Sequence, residues 1–117
     1  MGRLTTHVLD TAHGAPAAGM RVILFRANTG ARQQLLETKT NADGRCDGPL
    51  LEGGAFAADT YEIDFHAGDY FAARGLKLPQ PRFVDVVTLR FGISDPAQHY
   101  HVPLLVSPFA YSTYRGS

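Results

Sequence analysis

His99 and His101 are separated by one residue, in the run His99-Tyr100-His101-Val102-Pro103. On a strand, that spacing puts both imidazoles on one face, with Tyr100 opposite. Imidazole titrates near neutrality, so a histidine can give or accept a proton at working pH. His-X-His on a strand is also a metal-ligand spacing, provided that a third ligand such as His7 or a carboxylate joins it. No His-Glu-X-X-His motif and no cysteine pair accompanies it here. The plainer alternative is a polar face carrying two solvated histidines.

Three further positions carry groups that could react. His7 lies in Leu4-Thr5-Thr6-His7-Val8-Leu9-Asp10. Alternation there puts Leu4, Thr6 and Val8 on one face and Thr5, His7 and Leu9 on the other. His7 is either a half-buried histidine bonded to a neighbour or a proton-transfer group. Arg45 follows the Asp43-Gly44 turn. It is either a solvated loop charge or a planar donor fork that holds an oxyanion or a polarised carbonyl. Cys46 is adjacent, but a cysteine nucleophile needs a nearby base and a low pKa, and the sequence points to neither. Ser107 and Ser112 lack a nucleophile-elbow context.

The chain closes on Tyr114-Arg115-Gly116-Ser117. Chain ends commonly fray, but this one follows a dense, branched run from His99 to Thr113. It reads as docked, which would set the Ser117 hydroxyl, the terminal carboxylate and the Arg115 guanidinium beside the two histidines of the preceding strand.

The elements that must position these groups are short β-runs between turn residues. Strands are expected over 4–9, 20–27, 34–40, 60–66, 84–93, 99–106 and 111–115, with a brief extended piece at 45–47. In the second run Met20, Val22 and Leu24 share one face and Arg21, Ile23 and Phe25 the other. In the run 60–66, Tyr61, Ile63 and Phe65 oppose Glu62, Asp64 and His66. Turns fall at 10–16, at Asn28-Thr29-Gly30 and at Asn41-Ala42-Asp43-Gly44, where Asp-Gly supplies the positive φ of a tight turn. Asp69 to Arg74 reads as one short helix, with Asp69 near its N-terminus and Gly75 ending it. Pro79 and Pro81 mark a loop. This pattern of strands predicts an all-β sandwich, whose open edges favour pairing with further copies.

A length of 117 residues suits one domain, spanning 1–117. Eleven basic residues balance eleven acidic ones, so no electrostatic case exists for nucleic acid or an anionic membrane. Hydrophobic content of 44% with 19% charged residues argues against disorder. The single Cys46 excludes an intrachain disulfide and suits a reducing compartment. No apolar stretch suggests a secretory signal or a membrane span, so the cytoplasm is the expected location. Met1-Gly2 with Thr6 gives only weak support for myristoylation.

Thr6-His7-Val8-Leu9-Asp10, Gly14-Ala15-Pro16-Ala17, the run His99 to Pro108 and the ending Tyr111-Ser112-Thr113-Tyr114-Arg115-Gly116-Ser117 together resemble the 5-hydroxyisourate hydrolase family, the transthyretin-like enzymes of urate breakdown. The resemblance runs the length of the chain, and the Tyr-Arg-Gly-Ser ending is its most specific element. It implies a transthyretin-like sandwich of two four-stranded sheets with one short helix. It also implies a homotetramer, built as a dimer of dimers, with sites in the channel between dimers.

The activity implied is hydrolysis of 5-hydroxyisourate to 2-oxo-4-hydroxy-4-carboxy-5-ureidoimidazoline, with no cofactor and no metal. His7, Arg45, His101 and Ser117 carry over as catalytic residues, and Tyr114 and Arg115 join them in binding substrate. The resemblance assigns no role to His99. His13, His66 and Cys46 read as structural or solvated. Three other readings compete: a carrier binding a small molecule in the tetramer channel, a structural or adhesion sandwich, and a metal-dependent hydrolase using His99 and His101. Polar groups at His7, Arg45 and His101 speak against an apolar carrier channel.

Overall fold

Alternation along β1 (Arg3–Asp10) is strict: Leu4, Thr6, Val8 and Asp10 are buried while Thr5, His7 and Leu9 are only partly covered. The same period governs β8 (His99–Ser107), where Tyr100, Val102, Leu104 and Val106 turn inward. The computed structural model that shows this describes residues 2–28 and 30–117. Met1, and with it the start of the weak myristoylation signal, lies outside them. So does Thr29 of the expected turn.

The other elements are β2 (Ala15–Pro16), β3 (Arg21–Arg26), β4 (Gln33–Lys39), β5 (Leu51–Glu52), β6 (Asp59–His66), α1 (Ala67–Ala73), β7 (Val86–Ile93) and β9 (Ala110–Thr113), with a 3₁₀ turn at Gly53–Ala55. One sheet runs β4-β3-β6-β7. The other runs β2-β1-β8-β9, with β5 on the far end of β1. The expected sandwich forms. The second sheet counts five strands because it includes β2 and β5, two-residue strands too short to show any periodicity in sequence.

Between the sheets lie Leu4, Val8, Leu104 and Val106 from one side and Val22, Leu24, Tyr61, Ile63 and Phe65 from the other, all essentially inaccessible. Burying an aliphatic or aromatic side chain of this kind contributes about 1.5–3 kcal/mol. Two polar side chains share the inward face of β1. Thr6 donates to the Val102 carbonyl at 2.7 Å. Asp10 accepts from the His13 backbone and ring and from the Tyr70 hydroxyl. Burial alone would push the Asp10 carboxyl up, but the hydrogen bonds from Tyr70 and His13 outweigh it and hold it below its ordinary range. Burial and the bond to Asp10 push the Tyr70 hydroxyl up to about 12. His13 is thereby structural, tying the turn after β1 to α1.

Several boundaries move, among them the last strand, which ends at Thr113 and leaves Tyr114 and Arg115 outside it, and two have a plain physical reason. Helix α1 starts at Ala67, ahead of Asp69, because the Gly68 N–H bonds the Asp85 carbonyl at 2.9 Å and the chain turns directly out of β6. Asp69 still falls in the first turn, where the helix dipole favours a carboxylate. Strand β7 starts at Val86 because Val84 donates instead to the Pro108 carbonyl in the β8–β9 turn.

Candidate active site

Strand β8 carries His99 and His101, and its neighbours set their surroundings. It pairs in parallel with β1, so that Thr5 lies opposite His101 and Arg3 opposite His99. On its other side it pairs antiparallel with β9, Leu104 opposite Thr113. Pro103 has no N–H to offer the next rung, and Thr113 Oγ1 instead donates to the Pro103 carbonyl at 2.7 Å. The register then resumes in line at His101 and Gly116, with N–H···O bonds of 2.7 and 3.2 Å in the two directions. The chain end is therefore docked on the histidine strand. A Cβ on Gly116 would stand 3.1 Å from His101 Cβ and Cδ2, closer than normal packing, so glycine permits this approach.

The Asp43-Gly44 turn brings in Arg45. Asn41 Oδ1 accepts from the Asp43 and Arg45 N–H groups, and the Gly44 carbonyl accepts from Val8 N–H at 2.8 Å. Gly44 has φ +75°, and a Cβ there would come within 2.5 Å of the Val8 carbonyl. Both facts demand glycine. Beside this turn, Arg45 forms an antiparallel bridge with His7. His7 Nε2 lies 3.0 Å from the Asp43 carbonyl. A carbonyl only accepts, so His7 carries its proton on Nε2.

These elements enclose a cleft of about 470 Å³, lined by Arg3, Thr5, Arg45, Cys46, His99, His101 and Ser117 among others. Arg45, His101 and Ser117 thus meet in one place. His7 stands next to the cleft, held by the turn. Arg115 turns away: its guanidinium bonds the Gln98 side chain and the His99 carbonyl and covers the Tyr100 ring at 4.1 Å. Tyr114 and Arg115 line a separate groove beside β7. Within one chain, these two residues and the histidine cleft are apart.

The electrostatics favour a neutral His101. Burial lowers its pKa first, and the positive charges of Arg45, His7 and His99 lower it further. Cys46 behaves oppositely to an activated nucleophile, since burial and then Asp47 push its thiol up. Among the described residues, no group of three or more His, Cys, Asp or Glu side chains comes together in a metal-holding arrangement. His99 and His101 instead both bond Thr5 Oγ1, at 2.9 and 2.8 Å. Thr5 was not among the sequence candidates. Its only signal was sharing a face with His7, and its meeting with His101 comes from a strand pairing between distant parts of the chain.

A family model described as HIUase/Transthyretin family matches residues 4–116. The chain belongs to this family. Among its relatives, 5-hydroxyisourate hydrolase 2 of Rhizobium meliloti is 61% identical over 116 residues, covering 99% of this chain and 97% of that protein. The solved Klebsiella pneumoniae 5-hydroxyisourate hydrolase superposes with TM-score 0.82 at 32% identity, covering all of both chains. A crystal structure of (S)-allantoin synthase superposes with TM-score 0.94 at 50% identity, covering 99% of this chain but 44% of that one. Family membership accounts for the sandwich and for the sequence signatures at both ends of the chain.

The depressed His101 pKa has a sign that can be checked. The unfolded chain holds its proton up to an ordinary pKa near 6.5, and the folded site releases it at lower pH. Folding stability therefore rises with pH through that window and is lost as pH falls below about 6.5. If neutral His101 is the working form, the acid limb of the pH–kcat/KM profile falls below pH 6.5. Replacing Arg45 by alanine moves that limb upward, because a repelling charge is gone. A limb that stays in place in that variant would contradict the assigned electrostatics.

Proposed function

We propose that this chain, acting as one hydrolase unit over residues 1–117, opens 5-hydroxyisourate by hydrolysis to 2-oxo-4-hydroxy-4-carboxy-5-ureidoimidazoline. The observation that carries the reading is the cleft in which His101, Arg45 and Ser117 meet beside His7. Full-length relatives named for this reaction support it. Amide-type hydrolysis needs a base for water, donors for the oxyanion and an acid for the leaving nitrogen.

In this reading neutral His101 accepts the proton of a water as that water attacks a ring carbonyl. The Arg45 fork stabilises the oxyanion of the tetrahedral intermediate and orients the planar, amide-rich substrate. The intermediate collapses with rupture of the ring C–N bond. The leaving nitrogen takes up a proton from the histidine pair, so the elements of water end on the two ends of one ring-opened product, hydroxyl on the acyl carbon and proton on the nitrogen. Ser117 bonds the substrate or the water. No cofactor and no metal takes part.

The working form proposed is a homotetramer made of two dimers, with the clefts facing one another between dimers. Tyr114 and Arg115 would then complete the pocket of the assembly. Exposed apolar side chains at Phe83, Phe109 and Tyr111 support such self-association, and sedimentation measures it directly. The cytoplasm is the proposed location, in keeping with a lone, half-buried thiol.

The test generates 5-hydroxyisourate in place with urate oxidase and follows its ultraviolet decay with and without the protein, before and after EDTA treatment. Decay that accelerates in proportion to protein and survives EDTA is expected. Decay at the spontaneous rate from folded protein would overturn the reading and make small-molecule carriage the next question. Loss of activity on EDTA treatment would instead favour the metal-dependent alternative.

A further inference from the structure

We propose that Thr5 and His99 are positioning residues, which fix the ring nitrogen that His101 presents to the cleft and relay a proton away from it through the Thr5 hydroxyl. The proposal rests on the reading of His101 as the proton-accepting group. It starts from one oxygen with two partners: Thr5 Oγ1 lies 2.8 Å from His101 Nδ1 and 2.9 Å from His99 Nε2.

A threonine hydroxyl has one proton to donate and lone pairs to accept with. It cannot donate to both rings, so at least one ring donates to it, and three arrangements are open. In one arrangement Thr5 donates to His101 Nδ1 and accepts from His99 Nε2–H. His101 then carries its proton on Nε2, the wrong nitrogen for a base facing the cleft. In the second, His101 Nδ1–H donates to Thr5, which donates to His99 Nε2; in the third, both rings donate to Thr5 and His99 Nε2 is already protonated. In both of these, His101 Nε2 is a free lone pair. The two histidine tautomers are coupled through one hydroxyl, and only the second arrangement both frees His101 Nε2 for the water proton and leaves His99 Nε2 open to receive one through Thr5.

The surrounding charges act on this chain of groups. Arg3 pairs across the sheet from His99, while Arg45 and His7 repel a positive charge on His101. The Gly116 backbone holds His101 from the β9 side, and Ser117 lines the same cleft. When His101 Nε2 gains the water proton, its Nδ1–H bond breaks as the proton passes to Oγ1. The original Thr5 proton passes at the same time to His99 Nε2. Thr5 ends as a hydroxyl, His101 ends neutral, and the single added positive charge resides on His99. No electrons change hands, and the reverse transfer returns the proton for the leaving nitrogen.

The test compares the full-length wild type with Thr5→Val and Thr5→Ser. Imidazole ¹⁵N NMR of the ligand-free protein reports the tautomers without any substrate, so this arm stands even if the hydrolase reading fails. In the wild type, His101 is expected as the Nδ1–H tautomer and His99 as its Nδ1–H partner accepting at Nε2. In Thr5→Val, which keeps the branched shape suited to β1, the His101 signal shifts to a mixture of tautomers. Thr5→Ser restores the wild-type pattern.

In turnover, Thr5→Val loses about 10²-fold in kcat, the low end of what a positioned proton-transfer group contributes, with KM little changed. Thr5→Ser recovers most of that loss. The proposal is overturned by an Nε2–H His101 or an Nε2–H His99 in the wild type, or by an unchanged His101 tautomer in Thr5→Val. It is equally overturned by full kcat in Thr5→Val, or by a Thr5→Ser variant as impaired as Thr5→Val.

Discussion

His101→Asn and Arg45→Ala each lower turnover of 5-hydroxyisourate by about 10²–10⁴-fold, the usual effect of removing one positioned proton-transfer or oxyanion group. The expectation follows from where these side chains sit. His101 is on the outward face of β8, between the inward-facing Tyr100 and Val102 that anchor the strand. An asparagine there keeps an amide able to bond Thr5 Oγ1 and leaves the core untouched, but it cannot accept a proton. Arg45 is held through its backbone, by Asn41 and by the bridge to His7, so truncating its side chain removes the fork and not the turn. Steady-state kinetics with a thermal melt on the same samples decides the matter. Wild-type turnover in either variant would remove that residue from the mechanism. A collapsed melting transition would mean that the loss reports folding and not chemistry.

Deleting Tyr114 to Ser117 is expected to abolish activity while leaving the sandwich folded. The deletion removes the His101–Gly116 bridge, the Arg115 bonds to Gln98 and to the His99 carbonyl, and Ser117 from the cleft. It spares β9, whose four rungs to β8 end at Thr113. Each lost surface hydrogen bond accounts for about 0.5–1.5 kcal/mol of net stability, well short of the contribution of the core. A milder variant, Gly116→Ala, separates docking from mere presence of the tail. Its Cβ would crowd the His101 ring at 3.1 Å, so the tail or the ring must shift by a few tenths of an ångström and kcat is expected to fall, while the far groups of Tyr114 and Arg115 remain on the chain. An active truncation would show that the tail takes no part in turnover.

The Asp10–His13–Tyr70 cluster and the Thr5–His99–His101 trio illustrate two uses of the same chemistry. In the first, hydrogen bonds converge on a fully buried carboxylate and hold it charged. In the second, two titratable rings share one neutral hydroxyl at the mouth of a cleft. Convergence of donors on one acceptor locks a structure in place. A shared donor–acceptor leaves more than one proton arrangement available, which suits proton transfer.

Much of this protein could be read from residue order alone. The alternation in β1 is a local property of neighbouring residues, and burial follows it because side chains alternate across a strand; in β6 and β8 the same period sets the core face, while Asp64 and Pro103 on the other face are buried as well. The Asp43-Gly44 turn was equally legible, since a positive φ is a local demand that glycine meets. The likeness of the two chain ends to one family pointed to His7, Arg45, His101 and the terminal tetrapeptide. What only the tertiary structure decided depends on partners far apart in the chain. The parallel pairing of β1 with β8 places Thr5 against His101 across 96 positions of sequence. The return of the chain end to His101 depends on a register that Pro103 interrupts and Gly116 resumes. The two-residue β2 and β5 exist only because β1 offers them an edge. The direction of Arg115, away from the histidine cleft and over Tyr100, was likewise settled by packing. Local periodicity specifies which face a side chain takes. Which side chain it meets there is set by strand register, and register is a property of the whole sheet.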